Sequence, residues 1–153
     1  MGLFNKKKRK AVVVGLDGVP HSLVEKLVAD GATPYLAELS RAERFARMTV
    51  TLPEISAVSW PSFATGLNPG GHGVFGFTEL KAGTYDIRFT SSADVKAPTI
   101  WDRLGRVGKR SVVINQPSTY PAGAINGALV AGFVAVDFDR AIMPPPLRTK
   151  LRQ

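Results

Sequence analysis

Ala11-Val12-Val13-Val14-Gly15-Leu16-Asp17-Gly18 is a continuous, largely β-branched run that stops at an acidic turn. Residues 11–16 lack the alternation of a strand with one wet face, so they are expected to form a strand buried on both faces of a parallel sheet. Asp17 would then stand at the carboxyl tip of that strand. Open parallel sheets bind ligands outside the carboxyl ends of their strands, which makes Asp17 the first candidate for chemistry. The competing reading is that Asp-Gly simply makes the turn.

The pattern beyond this run alternates between helix and strand. Leu23, Val24, Leu27 and Val28 recur at helical spacing, predicting a helix over residues 21–30 closed by Gly31. Thr33-Pro34 opens a second helical segment through Tyr35, Leu36 and Leu39. Arg47, Thr49 and Thr51 alternate with Ala46, Met48, Val50 and Leu52, predicting a strand over residues 45–52 that Pro53 ends. Residues 61–65 are expected to start a short helix closed at Gly66, and residues 68–76 to be rich in turns. Residues 84–90 read as an edge strand or hairpin arm. Thr99 begins a helix over residues 99–107, and Lys109-Arg110-Ser111-Val112-Val113-Ile114-Asn115 is a second strand of the parallel kind. Residues 128–133 form another short strand after the Asn126-Gly127 turn. The class is therefore α/β, with a central, mostly parallel sheet sandwiched by helices. A right-handed crossover would make residues 12–14 and 112–114 neighbouring parallel strands.

Composition narrows the chemistry. The 153 residues are 44% hydrophobic, enough for one sizeable core, and are expected to divide into a basic leader over residues 1–10 and an α/β domain over residues 11–153. There is no cysteine, which excludes disulfides, thiolate metal sites and cysteine nucleophiles. The net charge of +8 raises nucleic acid or an anionic surface as partners. Five basic residues are concentrated at Lys6, Lys7, Lys8, Arg9 and Lys10 and the rest are interspersed with acids, which favours a solvated leader over a binding surface. The apolar stretch after the leader is too short for a signal peptide, and no window approaches a membrane span. A cytoplasmic location is expected.

Hydroxyls crowd the stretch from Thr51 to Gly66, at Ser56, Ser59, Ser62 and Thr65. A hydroxyl nucleophile needs a base or a cation to activate it, and this loop holds no His, Lys or Cys, so a metal would have to act. The alternative for Ser62 is a helix cap near Pro61.

Three segments together resemble the type I phosphodiesterase and nucleotide pyrophosphatase branch of the alkaline phosphatase superfamily, closest to its prokaryotic predicted phosphohydrolases or phosphomutases. They are Val13-Val14-Gly15-Leu16-Asp17-Gly18, Pro53-Glu54-Ile55-Ser56, and the run from Thr65 to Phe77 containing Gly70-Gly71-His72-Gly73. Thr119-Tyr120-Pro121 and Gly132-Phe133 extend the likeness, which runs from about Ala11 to about Leu151. The resemblance implies two divalent metal ions, usually zinc, and a phosphoester small-molecule substrate. It places Asp17 as a metal ligand and Ser56 as both nucleophile and ligand of the same ion. Ser59 falls where nucleotide pyrophosphatases carry an Asn that holds a phosphoryl oxygen, a departure, since Ser is shorter. It gives His72 and His21 no catalytic role: His72 is expected to be structural and His21 to face solvent.

Relatives complete their metal sites with Asp and His motifs farther along the chain, and Asp137 and Asp139 do not match those motifs. The expectation is an N-terminal portion of a metal-dependent phosphoester hydrolase, without a complete active site of its own. Two other readings stand beside it: a non-catalytic fragment that binds a phosphorylated ligand, and a domain tethered to nucleic acid or anionic lipid by its basic leader.

Overall fold

The computed structural model describes residues 10–42 and 45–153, and the chain divides into two compact units, Met1–Met48 and Thr49–Gln153. The leader residues 6–9 lie outside the described residues, and Lys10 is exposed.

In the first unit, α1 (His21–Ala29) and α2 (Pro34–Ser40) form where their spacing predicts helices, and they pack together. Asp30 caps α1, and Gly31 follows with φ of 69°, a left-handed conformation that glycine adopts without a Cβ penalty. Pro34 starts α2 where its missing N–H costs nothing. His21 is half-buried, not on the solvent side as expected. Its ring stacks on Phe45 with centroids 5.2 Å apart, and its Nδ1 lies 3.2 Å from Glu25 Oε2.

Two predicted strands are corrected here. Residues 11–16 and 45–52 pair with no strand among the described residues, and Val12 and Val14 are 86% and 78% exposed. A strand is defined by the ladder that satisfies its amides, and β-branched composition supplies a preference without supplying a partner.

The second unit begins with α3 (Ser56–Thr65), which starts five residues earlier than predicted and carries Pro61 inside it. Gly66, at φ of 72°, ends it and donates its N–H to the Ser62 carbonyl at 2.8 Å. A single turn, α4 (Pro69–His72), follows, capped by the Asn68 side chain. β1 (Thr78–Leu80) and β2 (Ile87–Phe89) form an antiparallel hairpin with Glu79 opposite Arg88 and Leu80 opposite Ile87. Its burial is inverted. Leu80, Ile87 and Phe89 are exposed while Glu79 and Arg88 are half-buried and ion-paired to each other.

A 3-10 turn (Ser92–Asp94) leads to α5 (Ile100–Arg106), where Thr99 and Asp102 cap each other reciprocally. Then come β3 (Ser111–Gln116), β4 (Gly127–Ala131), β5 (Ile142–Met143) and α6 (Pro145–Leu151). β3 and β4 are parallel, β4 and β5 antiparallel, so the sheet is mixed and three-stranded. Leu129, Ala131, Ala141 and Ile142 form its core, with Val113, Tyr120, Ile125 and Leu147 packed against them.

The fold is α/β, and the expected central parallel sandwich is corrected to this mixed sheet and a separate hairpin. β3 takes β4 as its parallel partner, not residues 12–14, and on its other edge no strand is paired among the described residues. Val112 and Ile114 accordingly stay 71% and 70% exposed. The β3–β4 pairing depends on Gly127, whose φ is 146° and where any Cβ would run into the Ser111 carbonyl. Among the described residues no helix is long and apolar enough to cross a membrane.

Candidate active site

α3 sorts the four candidate hydroxyls by geometry. A residue advances about 100° around a helix, so positions three apart drift by about 60° and Ser56 and Thr65 end on opposite faces. Ala57, Val58, Pro61, Ser62, Ala64 and Thr65 are buried. Ser56, Ser59, Trp60 and Phe63, at i, i+3, i+4 and i+7, make the other face, where Ser56 and Ser59 are half-buried and Phe63 exposed. Trp60 and Phe63 meet edge to face with centroids 5.9 Å apart.

The two buried hydroxyls are committed to structure. Thr65 Oγ1 donates to the Pro61 carbonyl at 2.7 Å and accepts from Leu67 N–H at 3.2 Å. Ser62 Oγ donates to the Val58 carbonyl at 2.9 Å and lies 2.9 Å from His72 Nε2. Ser62 is therefore no cap. It sits in mid-helix and bonds back one turn, because α3 begins at Ser56.

Ser56 is the first residue of α3. The preceding Ile55 has extended backbone and no acceptor in its side chain, so it supplies no side-chain cap of its own. Both Val58 and Ser59 donate to the Ile55 carbonyl at 3.0 Å. The amides at such an end and the helix dipole together favour an anion. Ser59 Oγ lies 3.2 Å from Thr51 Oγ1, which ties the loop before α3 to its first turn.

A feature missed in the sequence lies at the carboxyl end of β3. Gln116 is buried and its Nε2 donates to the Trp60 carbonyl at 3.3 Å, joining the strand end to α3. Its flanks are left-handed, Asn115 with φ of 56° and Ser118 with φ of 62°. Each such non-glycine residue costs on the order of 1 kcal/mol or more, an expense that strand ends at functional sites commonly carry. Thr119 closes the turn, donating to the Gln116 carbonyl at 2.6 Å and accepting from Gly132 N–H at 3.2 Å. The available signal was Asn-Gln-Pro-Ser at the end of an apolar run, residues prone to turns and to left-handed φ.

Asp17 lies in the first unit, at an exposed turn with Gly18 at φ of 69°. The Asp-Gly turn is thus present, without a strand before it. Asp17 and Ser56 both offer oxygen, which suits a hard or borderline divalent cation. Among the described residues, no group of three or more His, Cys, Asp or Glu assembles in metal-binding geometry. Asp137 accepts from the Arg140 N–H at 2.8 Å and Asp139 pairs with Arg152 at 2.8 Å, so both serve the local structure.

α3 is thus joined to the carboxyl end of a parallel strand pair through the Gln116–Trp60 bond, and the class is that of α/β proteins, whose ligands bind outside the carboxyl ends of such strands. The family model for type I phosphodiesterase / nucleotide pyrophosphatase matches residues 11–151, and the chain belongs to that family. Membership points to phosphodiesterase or pyrophosphatase chemistry on small phosphoesters, generally dependent on metal. No curated protein and no solved structure gave a match.

Proposed function

We propose that the protein is a phosphoester hydrolase in which Ser56 is the nucleophile and Asp17 and Ser56 bind a common divalent ion. The observation that carries this reading is the placement of Ser56 on the first turn of α3 and on its less buried face, in a chain that matches the family over residues 11–151. A divalent ion, when bound, supplies the positive charge that favours the serine alkoxide. The chain's own residues do the rest. The amide end of α3 attracts the phosphoryl oxygens, and Ser59, one turn along, offers a single hydroxyl to one of them. Ser59 also meets Thr51, so its part in holding substrate is secondary.

Two oxygen donors are fewer than the three protein ligands of a usual catalytic zinc site, and no residue is assigned to a second ion. The 153-residue chain alone is therefore expected to show turnover close to background. The test is nitrophenol release from bis-nitrophenyl phosphate with added zinc or manganese. In a longer chain that contains these residues together with further metal ligands, Ser56→Ala should lower kcat at least about 10³-fold and Ser59→Ala by about tenfold or less. Normal turnover in Ser56→Ala would remove the nucleophile assignment. Retained phosphate binding without turnover in that longer chain, unmutated, would favour the non-catalytic reading instead.

A further inference from the structure

α3 and α4 are joined through the interior by a directed chain of hydrogen bonds. His72 ends α4 and is fully buried. Its Nδ1 accepts from the Val74 N–H at 3.2 Å, and its Nε2 lies 2.9 Å from Ser62 Oγ. A backbone N–H can only donate, so Nδ1 carries no proton and the single proton of the neutral ring sits on Nε2. Nε2 then donates to Ser62 Oγ, whose own hydrogen goes to the Val58 carbonyl at 2.9 Å. The chain runs one way, from Val74 through the imidazole and Ser62 to the backbone of α3.

This direction separates the pair from a catalytic dyad. A serine nucleophile needs an unprotonated ring nitrogen facing its hydroxyl, and here the facing nitrogen holds the proton. We propose that His72 is a positioning residue, whose neutral, Nε2-protonated ring locks α3 in place, and that protonation of the ring releases the lock. Its consequence for catalysis rests on the reading of Ser56 as nucleophile, since α3 carries that residue at its start.

Release follows from the surroundings. A second proton on Nδ1 would set two donors, Nδ1–H and Val74 N–H, against each other, and would bury a cation. α3 has no charged side chain, α4 has none but His72, and residues 73–77 have none. Lys96 donates its N–H to the His72 carbonyl at 2.9 Å, and its stem crosses Gly73, where a Cβ would meet Cδ at 2.9 Å. It adds a like charge. Asp94 is held by Arg88 and Ser91. On α5, which packs against α3, Asp102 is spent on the Thr99 cap, Arg103 Nε bonds the Pro98 carbonyl, and Arg106 is a further cation. Burial therefore holds the His72 pKa below its usual value of 6.5. A depressed histidine makes stability complete above the unfolded-state pKa, with loss as pH falls below about 6.5 toward the folded value.

Two measurements on the 153-residue chain test this. Long-range ¹H–¹⁵N correlation at pH 7.5 should show His72 protonated on Nε2 alone, and an Nδ1–H pattern would overturn the proposal. Urea unfolding followed by tryptophan emission should show the folding constant falling between pH 7.5 and 5.5, by up to about tenfold per pH unit. The fall should persist in His21→Gln and vanish in His72→Gln. A pH dependence that survives His72→Gln, or disappears with His21→Gln, would also overturn it. If His72→Gln does not fold, the tautomer and the His21→Gln titration decide. None of these readouts uses turnover, so a failed nucleophile assignment would show separately in the phosphodiester assay.

Discussion

Arg88 grips Asp94 through two hydrogen bonds, Nη2 to Oδ1 at 2.6 Å and Nη1 to Oδ2 at 3.0 Å. The same carboxylate accepts from the Ser91 N–H at 2.7 Å and from Ser91 Oγ at 3.0 Å, so one side chain ties the β1–β2 hairpin to the turn before α5. The inverted hairpin follows from this, because its charged face turns toward Asp94 and its apolar face is left outside.

Asp94→Asn is expected to cost about 1–2 kcal/mol at pH 7, the lower part of the range for charged hydrogen bonds because Arg88 is more than a third exposed. Burial opposes the charge on Asp94, but the Ser91 amide, the Arg88 guanidinium and the Ser91 hydroxyl outweigh it and hold the pKa below the usual carboxylate value. The stabilisation is then present above the unfolded pKa of about 3.9 and lost as pH falls through the folded value. Urea midpoints of the two proteins should differ at pH 7 and converge below about pH 4. A constant gap across that range would assign the cost to packing instead of charge.

Gly132→Ala should be strongly destabilising, by about 2 kcal/mol or more, because a Cβ there would meet Asn115 C and O and Gln116 C, all at 2.6 Å. The atoms it meets are backbone and cannot swing aside. Gly123→Ala, with nothing within 4 Å and no left-handed φ, is the matched control and should change stability by less than about 0.5 kcal/mol. Equal melting temperatures for the two variants would mean that the chain after β4 does not approach the carboxyl end of β3 this closely.

Thr99→Ala should lower stability by about 1 kcal/mol through loss of the reciprocal cap of α5. Thr99 Oγ1 contacts Asp102 Oδ2 at 2.6 Å and accepts from Asp102 N–H at 3.3 Å. Thr99→Ser keeps both bonds and should recover most of the loss in chemical denaturation. Hydrogen exchange would localise the effect, with faster exchange in the first turn of α5 and little change in α3.

Ile142→Ala should cost about 2–5 kcal/mol, since Ile142 is among the largest fully buried side chains and sits in the core of the mixed sheet. Val112→Ala, at an exposed position on β3, should cost under about 1 kcal/mol. Similar losses at both positions would show that the outer face of β3 is covered in solution.

The sequence by itself determined where several helices end and which residue types could do chemistry, although not where α3 begins. Pro34 at a helix start, Thr99 before α5 and the glycines at 31 and 66 act within about four residues of chain, so local chemistry suffices to read them. Ser56 was singled out by the resemblance alone, which sets Pro53 and Thr65-Gly66 against the family's pattern, and its role is a proposal. Only the tertiary structure decided which strand pairs with β3, which hydroxyls of α3 are spent, and which way the proton of His72 points. Val12–Val14 and Gly127–Ala131 carry comparable β-forming composition, yet only the second has a ladder, because pairing depends on partners distant in sequence. The bonds from Gln116 to Trp60 and from His72 to Ser62 span 56 and 10 residues and leave no periodic trace in the chain. Buried polar groups are satisfied wherever the fold brings a partner, and that choice is made in three dimensions.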